Sequence, residues 1–338
     1  MRTRELGRTH LSISVVGFGT LAVAGSASGW PRSIGPQDDR DSVAAIRHAV
    51  EAGVNWIDTA AIYGYGHSEE VVGGAMLSLP PSERPYVFTK CSRRWDNAAL
   101  TLEDIRAQLD GSLGRLRIEC VDLYQIHNPE NWGPRLGDAW GVLLDLKREG
   151  KIRYAGASNF SVDQLEACEG QGHVDALQPE LSAIQRQAGD TVLPWCRRHG
   201  VGVIVYGPLN QGILTGAFSA ARIAALPDQD SRRNAEMWPE FHEPRLSRNL
   251  AVTAALAEVA HRHGVSTPAA AVAWTLAWPG VTGAIVGARR PQQIEDWLAA
   301  ETLVLTKSDL DMVALAIEES AAGAGPSRPQ GLADLSVL

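Results

Sequence analysis

The chain has 338 residues, 45% hydrophobic and 21% charged, with 31 Lys and Arg against 39 Asp and Glu for a formal net charge of -8. That balance suits a soluble globular protein with ample apolar material for a core, and it excludes general disorder. The acidic excess argues against a nucleic-acid binder, which needs a basic face.

No stretch approaches the roughly 18 consecutive apolar residues that span a bilayer, and no apolar signal core follows Met1-Arg2-Thr3-Arg4-Glu5. Cys91, Cys120, Cys168 and Cys196 are far apart and form no C-x-x-C pair. Neither a zinc knuckle nor a dithiol motif is supported, and reduced thiols in a cytoplasmic protein are expected.

In chain order, Arg2 to Ser14 reads as a hairpin around a Gly-Arg turn, and Val15 to Gly19 as a short buried strand. Val43, Ile46 and Val50 recur at helical spacing before Gly53. Val54 to Ile57 is a strand, Glu69 to Leu79 a helix and Tyr86 to Thr89 a strand. Leu102, Ile105, Leu109, Leu113 and Leu116 mark one face of a helix, and Val121 to Ile126 is an apolar run of strand length. A helix from Asp138 to Glu149, a strand from Ile152 to Ala157 and a helix from Val162 to Glu169 follow. Then come a strand at Ala176-Leu177, a helix from Thr191 to His199 and a strand from Val201 to Tyr206. Leu250 to His263 is helical, Pro268 opens another helix, and Gly283 to Val286 is the last strand. Helices at Pro291 to Ala300 and Ser308 to Ser320 close the pattern.

The alternation gives about eight strand–helix units, the count of a (β/α)8 barrel (a TIM barrel), and the apolar strands suit parallel pairing with both faces buried. A doubly wound sheet is the other architecture, weakened because no G-x-G-x-x-G joins an early strand to a helix. We expect one domain over 1–320, with an N-terminal hairpin and an extra C-terminal helix, then a mobile tail over 321–338. Gly207 to Ser247, after the seventh barrel strand, is the one long connection, and such connections often bind ligands.

Reactive groups of such barrels gather where strands end. Asp58 follows Val54 to Ile57, Tyr63 lies in the loop after it, Lys90 ends one strand and His127 another. Together they form a proton-transfer set. A free tyrosine, with a pKa near ~10, is a reluctant acid at neutral pH, and a nearby Lys ammonium is expected to lower that value. A carboxylate keeps the Lys charged, and His donates a hydrogen bond to a carbonyl oxygen.

Asn55-Trp56-Ile57-Asp58-Thr59-Ala60-Ala61-Ile62-Tyr63-Gly64-Tyr65-Gly66-His67-Ser68-Glu69 resembles the signature of the aldo-keto reductases. Lys90 in Phe88-Thr89-Lys90 and His127 in Leu123-Tyr124-Gln125-Ile126-His127 match its other two catalytic positions, and the likeness runs from the hairpin to about Ala300. The resemblance implies a barrel that binds NADP(H) in extended form and reduces aldehydes or ketones. It makes Tyr63 the general acid, with Lys90 and Asp58 tuning it and His127 orienting the carbonyl; no metal is implied.

The resemblance also supplies cofactor positions. Gly19 and Thr20 lie beside the nicotinamide, as does Asp58. Ser158, Asn159 and Gln178 hold its carboxamide, for which both donors and acceptors are needed. Tyr206 stacks under the ring. Gly207, Pro208, Leu209, Gly212, Leu214 and Gly216 form the diphosphate loop, where glycine admits backbone amides to phosphate. Gly287, Ala288, Arg289 and Gln293 form the 2'-phosphate site, with Arg290 as the alternative arginine, which implies NADPH over NADH. Family members often carry Glu-Asn where this chain has Asp296-Trp297; Asp296 can still bond adenine, but an indole cannot mimic the Asn amide.

Trp30, Trp95 and Trp132 sit in loops at the expected mouth, read as exposed indoles lining a substrate surface for neutral ring-containing carbonyls, beside Tyr63 and His127. Arg93-Arg94 is read as a solvated pair, with a phosphate contact as the alternative. His261-Arg262-His263 reads as cations ending a helix rather than a metal pair. A second functional class stays open: an NADP(H)-binding sensory or accessory subunit similar to potassium-channel β-subunits. The partner expected is a small carbonyl compound, neither nucleic acid nor membrane.

Overall fold

A computed structural model describes residues 1–25, 29–94 and 100–329. β1 (Thr3–Glu5) pairs antiparallel with β2 (Ser12–Ser14). The barrel begins with β3 (Val16–Gly19), followed by α1 (Asp39–Glu51), β4 (Trp56–Asp58), α2 (His67–Leu77), β5 (Tyr86–Cys91) and α3 (Leu102–Leu116). Next come β6 (Val121–Ile126), α4 (Leu136–Arg148), β7 (Ile152–Ser158), α5 (Val162–Glu169), β8 (Ala176–Gln178), α6 (Val192–His199) and β9 (Gly202–Val205). A short α7 (Ala220–Ala224) lies in the long connection before α8 (Arg245–His263) and α9 (Thr267–Leu276). β10 (Gly283–Gly287), α10 (Gln292–Leu298) and α11 (Lys307–Ser320) complete the order.

β3 to β10 close into a parallel barrel in sequence order, with β10 returning to pair with β3. Each strand is buried twice over, as the apolar runs require. Trp56, Phe88, Leu123, Ile204 and Ile285 point into the barrel and meet Leu6, Leu11 and Ile13 of the hairpin. Residues between them, such as Ile57, Val87 and Tyr124, join the larger layer against the helices. The hairpin sits where the strands begin: Ser14 N–H donates to Asn55 Oδ1 at 2.7 Å and Arg4 Nη1 to the Val281 carbonyl at 2.6 Å. The opposite, C-terminal rim is left for chemistry.

Local sequence sets the helix ends. Thr101 and Asp104 form a capping box on α3, as do Ser161 and Gln164 on α5 and Thr306 and Asp309 on α11. α8 starts at Arg245 rather than Leu250, because Leu246 and Asn249 are already buried and Asn249 Nδ2 holds the Glu240 carbonyl at 3.0 Å. The connection after β9 crosses to the loop after β3, where Ser231 N–H donates to the Ser33 carbonyl at 3.0 Å.

The segment read as a mobile tail starts with docked residues. The buried Arg186 guanidinium donates to the carbonyls of Ala183 at 2.6 Å, Ala322 at 3.0 Å and Pro326 at 3.0 Å, and Arg186 N–H holds the Ala324 carbonyl. Residues 330–338 lie outside the described residues. No helix among the described residues is long and apolar enough to cross a membrane.

Gly17 shows how closely the barrel is filled. A Cβ there would lie 2.2 Å from Trp56 Cε2. That indole cannot retreat, because it is fully buried and its Nε1 donates to the Ser14 carbonyl at 2.8 Å. Gly17→Ala is expected to destabilise the fold by about 1–3 kcal/mol, the scale of overpacking, read from the denaturation midpoint. Gly74→Ala on α2, where a Cβ meets nothing within 4 Å, should instead be neutral or stabilising.

Candidate active site

Asp58 ends β4 and Lys90 lies abreast of Gln125 on β5 and β6. Lys90 Nζ donates to Asp58 Oδ1 at 2.6 Å and to the Thr59 carbonyl at 2.7 Å, with both side chains buried. The second Asp58 oxygen accepts from Gln178 Nε2 at 2.8 Å, which ties β8 to the pair. Tyr63 follows on a turn through left-handed Gly64, Tyr65 and Gly66. Gly64 is required there, since a Cβ would lie 2.9 Å from the Ala24 carbonyl oxygen. Lys90 Nζ stands 5.4 Å from the Tyr63 ring centre, and His127 meets that ring edge-on at 5.8 Å. All four residues read from the sequence thus meet at one rim.

Burial dominates their protonation. It pushes the Tyr63 phenol well above its ordinary value, helped by the Asp58 charge. Burial and the Asp58 charge set this direction, opposite to the lowering expected from Lys90. Burial also lowers Lys90, against the opposing pull of Asp58. The His127 imidazole is held well below its usual range by burial and by the charges of Lys90 and Arg32. At neutral pH the phenol is therefore protonated and the imidazole neutral.

The amide-binding candidates form one network. Ser158 Oγ donates to the Gln178 carbonyl at 2.9 Å, and Asn159 Nδ2 to Ser158 Oγ at 3.2 Å and the His127 carbonyl at 3.1 Å. Asn159 is left-handed at φ 64°, and Tyr206 Oη donates to its Oδ1 at 2.9 Å. Gln125 Nε2 is buried beside this network without a partner among the described residues. In the loop after β9, Gly207, Gly212 and Gly216 all have positive φ, and Asn210 Oδ1 and Gln211 Oε1 are buried with no partner among the described residues. Unsatisfied amides and side-chain-free backbone fit a large polar ligand.

Other candidates are already engaged. Thr20 Oγ1 donates to the Asp58 carbonyl at 3.0 Å and accepts from Ser68 Oγ at 2.8 Å. The Leu214 side chain is buried in the core. Arg289 Nε donates to Gln37 Oε1 at 2.8 Å, another of its nitrogens holds the Pro36 carbonyl, and its own N–H donates to Gln293 Oε1 at 2.7 Å. Gly287 and Ala288 precede it at the end of β10. Trp297 is buried, while Ser266 Oγ holds the Asp296 carbonyl.

The tryptophans correct one expectation. Trp30 and Trp132 are each only 4% exposed, so neither presents an open indole. Trp30 packs against Tyr63 with ring centres 5.7 Å apart, so it borders the site without being an open surface. Trp95 lies outside the described residues. Arg94 pairs with Asp104 at 3.0 Å rather than waiting for an anion. Two residues not singled out from sequence belong here. Exposed Arg32 sits 5.6 Å from the Trp238 ring centre, and Ser92 Oγ lies 2.6 Å from His127 Nδ1. Ser92 could have been found from strand alternation, two residues beyond Lys90.

The fold and rim define a (β/α)8 barrel with a polar, titratable site at the strand C-termini. The Aldo/keto reductase family model matches residues 15–318, and the chain belongs to that family. It is 33% identical over 300 residues to the aldo-keto reductase YhdN of Bacillus subtilis (strain 168), covering 87% of each chain. It is 31% identical over 330 residues to the NADH-specific methylglyoxal reductase of Escherichia coli (strain K12), covering 93% of this chain and 97% of the relative. The solved structure of a glycerol dehydrogenase from Gluconobacter oxydans superposes with a TM-score of 0.82 at 30% identity, covering 96% of this chain and 97% of that one.

Glu180 gives the rim a pH signature. Burial, with Glu240 adding to it, pushes its carboxyl up from about 4.5 to about 7. The folded state keeps a proton that the unfolded chain releases, so the associated stability is full below pH 4.5 and lost as pH rises toward 7. Glu180→Gln should remove that loss. The stability difference between variant and wild type should grow by up to about 3 kcal/mol from pH 4 to pH 8 in paired urea titrations.

Proposed function

We propose that the protein reduces an aldehyde or ketone to the alcohol, using NADP(H), with Tyr63 as the proton donor. The observation that carries this reading is the meeting of Tyr63, His127 and the buried Lys90–Asp58 pair at one rim. Ser158, Asn159 and Gln178 would hold the nicotinamide carboxamide, Tyr206 its ring, and the glycine-bearing loop after β9 the diphosphate. Arg289 or Arg290 would meet the 2'-phosphate, with Gln293 and Asp296 toward the adenosine. When bound, the cofactor supplies hydride to the carbonyl carbon.

The residues of the chain handle the oxygen. His127 donates a hydrogen bond that fixes the carbonyl. As negative charge grows there, Tyr63 Oη passes its proton to that oxygen. Its raised pKa keeps the proton in place until the acceptor is an alkoxide, which is far more basic than a phenolate. Lys90 lies against the ring that becomes anionic, and Asp58 holds Lys90 charged despite burial. Trp30 offers an apolar wall beside Tyr63, which suits a neutral carbonyl compound.

Tyr63→Phe keeps the ring and deletes the proton. Its kcat with an aromatic aldehyde should fall at least ~10²-fold, the scale of a lost general acid, while cofactor affinity changes little. Near-normal turnover would remove Tyr63 from the reaction, and a wild type that binds the cofactor without reducing any carbonyl would favour a sensory subunit.

Cofactor choice is tested separately by binding. Arg289→Ala should weaken NADPH by about 1.5–3 kcal/mol, the range for a charge-assisted bond, and leave NADH nearly unchanged. Equal losses would mean that Arg289 serves only to hold residues 36–37. Tighter NADH binding by the wild type would align this chain with its NADH-specific relative and overturn the NADP(H) assignment.

A further inference from the structure

Ser92 follows β5, two residues beyond Lys90, and is buried. Its backbone is gripped from α3: Gln108 Oε1 accepts from Ser92 N–H at 2.9 Å, and Gln108 Nε2 donates to the Ser92 carbonyl at 2.9 Å. With both backbone groups fixed, its hydroxyl is left 2.6 Å from His127 Nδ1. The imidazole is fixed from its own backbone too. His127 N–H donates to the Cys91 carbonyl at 3.0 Å, and its carbonyl accepts from Asn159 Nδ2 at 3.1 Å.

A neutral imidazole can meet Ser92 in two ways. If Nδ1 carries the proton, it donates to Ser92 Oγ, and the serine hydroxyl proton then needs a different acceptor. Among the described residues Ser92 Oγ has no other hydrogen-bond partner, so that arrangement strands a buried donor. If Nδ1 is bare, the serine proton satisfies it and the ring proton sits on Nε2. The accounting favours the second arrangement. Burial and the charge of Lys90 keep the ring neutral, so the choice between tautomers is a real one.

We infer that Ser92, clamped by Gln108, locks His127 in the tautomer whose proton is on Nε2. Resting on the proposed reaction, this makes Ser92 a positioning residue that keeps the carbonyl-facing nitrogen a donor. A bare Nε2 there would repel the carbonyl oxygen instead of holding it. Among the described residues the hydroxyl bonds only the imidazole, so its effect passes through that ring.

The test is 15N NMR of the full chain labelled at histidine, with the His127 signals assigned by their loss in His127→Gln. At neutral pH, wild type should show Nδ1 as the unprotonated nitrogen and Nε2 as the protonated one. Ser92→Ala should shift His127 toward a tautomer mixture and lower kcat by about tenfold, with a smaller change in cofactor affinity. Ser92→Thr, which keeps the hydroxyl, should restore both spectrum and rate. A merely structural serine would alter melting without moving the tautomer. A wild-type ring protonated on Nδ1, or a Ser92→Ala spectrum identical to wild type, overturns the inference. Because the spectrum needs no turnover, the expected tautomers in a protein that reduces no carbonyl would count against the proposed function alone.

Discussion

The contact between Lys90 and Asp58 organises everything at the rim. Two charges removed from water cost several kcal/mol each, and only close pairing with further hydrogen bonds offsets that cost. Here the ammonium has the Asp58 carboxylate and the Thr59 carbonyl, and the free carboxylate oxygen has Gln178. The pair therefore binds β4, β5 and β8 across the barrel above the apolar layer of Trp56, Phe88 and Leu123. Deleting either partner would leave a buried charge alone, a loss of about 3–5 kcal/mol. The polar layer is thus as much a part of the fold as the layer beneath it.

That layer also settles a competition between desolvation and charge. Next to an unpaired ammonium, a tyrosine would become more acidic. Next to an ammonium already matched by Asp58, it feels mainly burial and the carboxylate, and its proton is held more tightly. The same desolvation keeps His127 neutral. The rim consequently presents protonated or neutral donors fixed in place, so a growing negative charge meets dipoles that need no reorganisation.

Much of this was legible in the sequence because barrel periodicity is strict. Val121–Ile126 and Val162–Glu169 form over the residues that the apolar pattern and the flanking signals mark. Asp58, Lys90 and His127 were readable because strand ends are where a barrel exposes polar groups. Loops defeat such reasoning, since their burial depends on what crosses them. Trp30 and Trp132 read as open indoles, yet are buried. Residues 321–329 carry a tail-like composition but are captured by Arg186, an arginine without pattern in its own segment. Strand alternation puts Ser92 on the face of Lys90, but its meaning lies in Gln108 and His127, which the fold alone brings to it.

The far end of the proposed cofactor site follows different physics from the rim. Arg289 is not a bare cation waiting for phosphate, because Gln37 and Pro36 already occupy two of its nitrogens. A guanidinium carries five N–H donors, so a phosphate there would take those that Gln37 and Pro36 leave. Electrostatics supplies the rest. Burial, Arg232 and Arg290 all make the Arg289 charge less favourable, and Asp230 and Asp41 only partly relieve it. Arg232 is closely paired with Asp230, whereas Arg290 is largely exposed and stands 3.7 Å from Asp41. An arriving dianion would also gain by relieving that mutual repulsion. A preference built on such relief acts over several ångströms, tolerates imperfect geometry and is screened by salt, unlike the short, buried contacts that hold Asp58, Lys90 and Gln178.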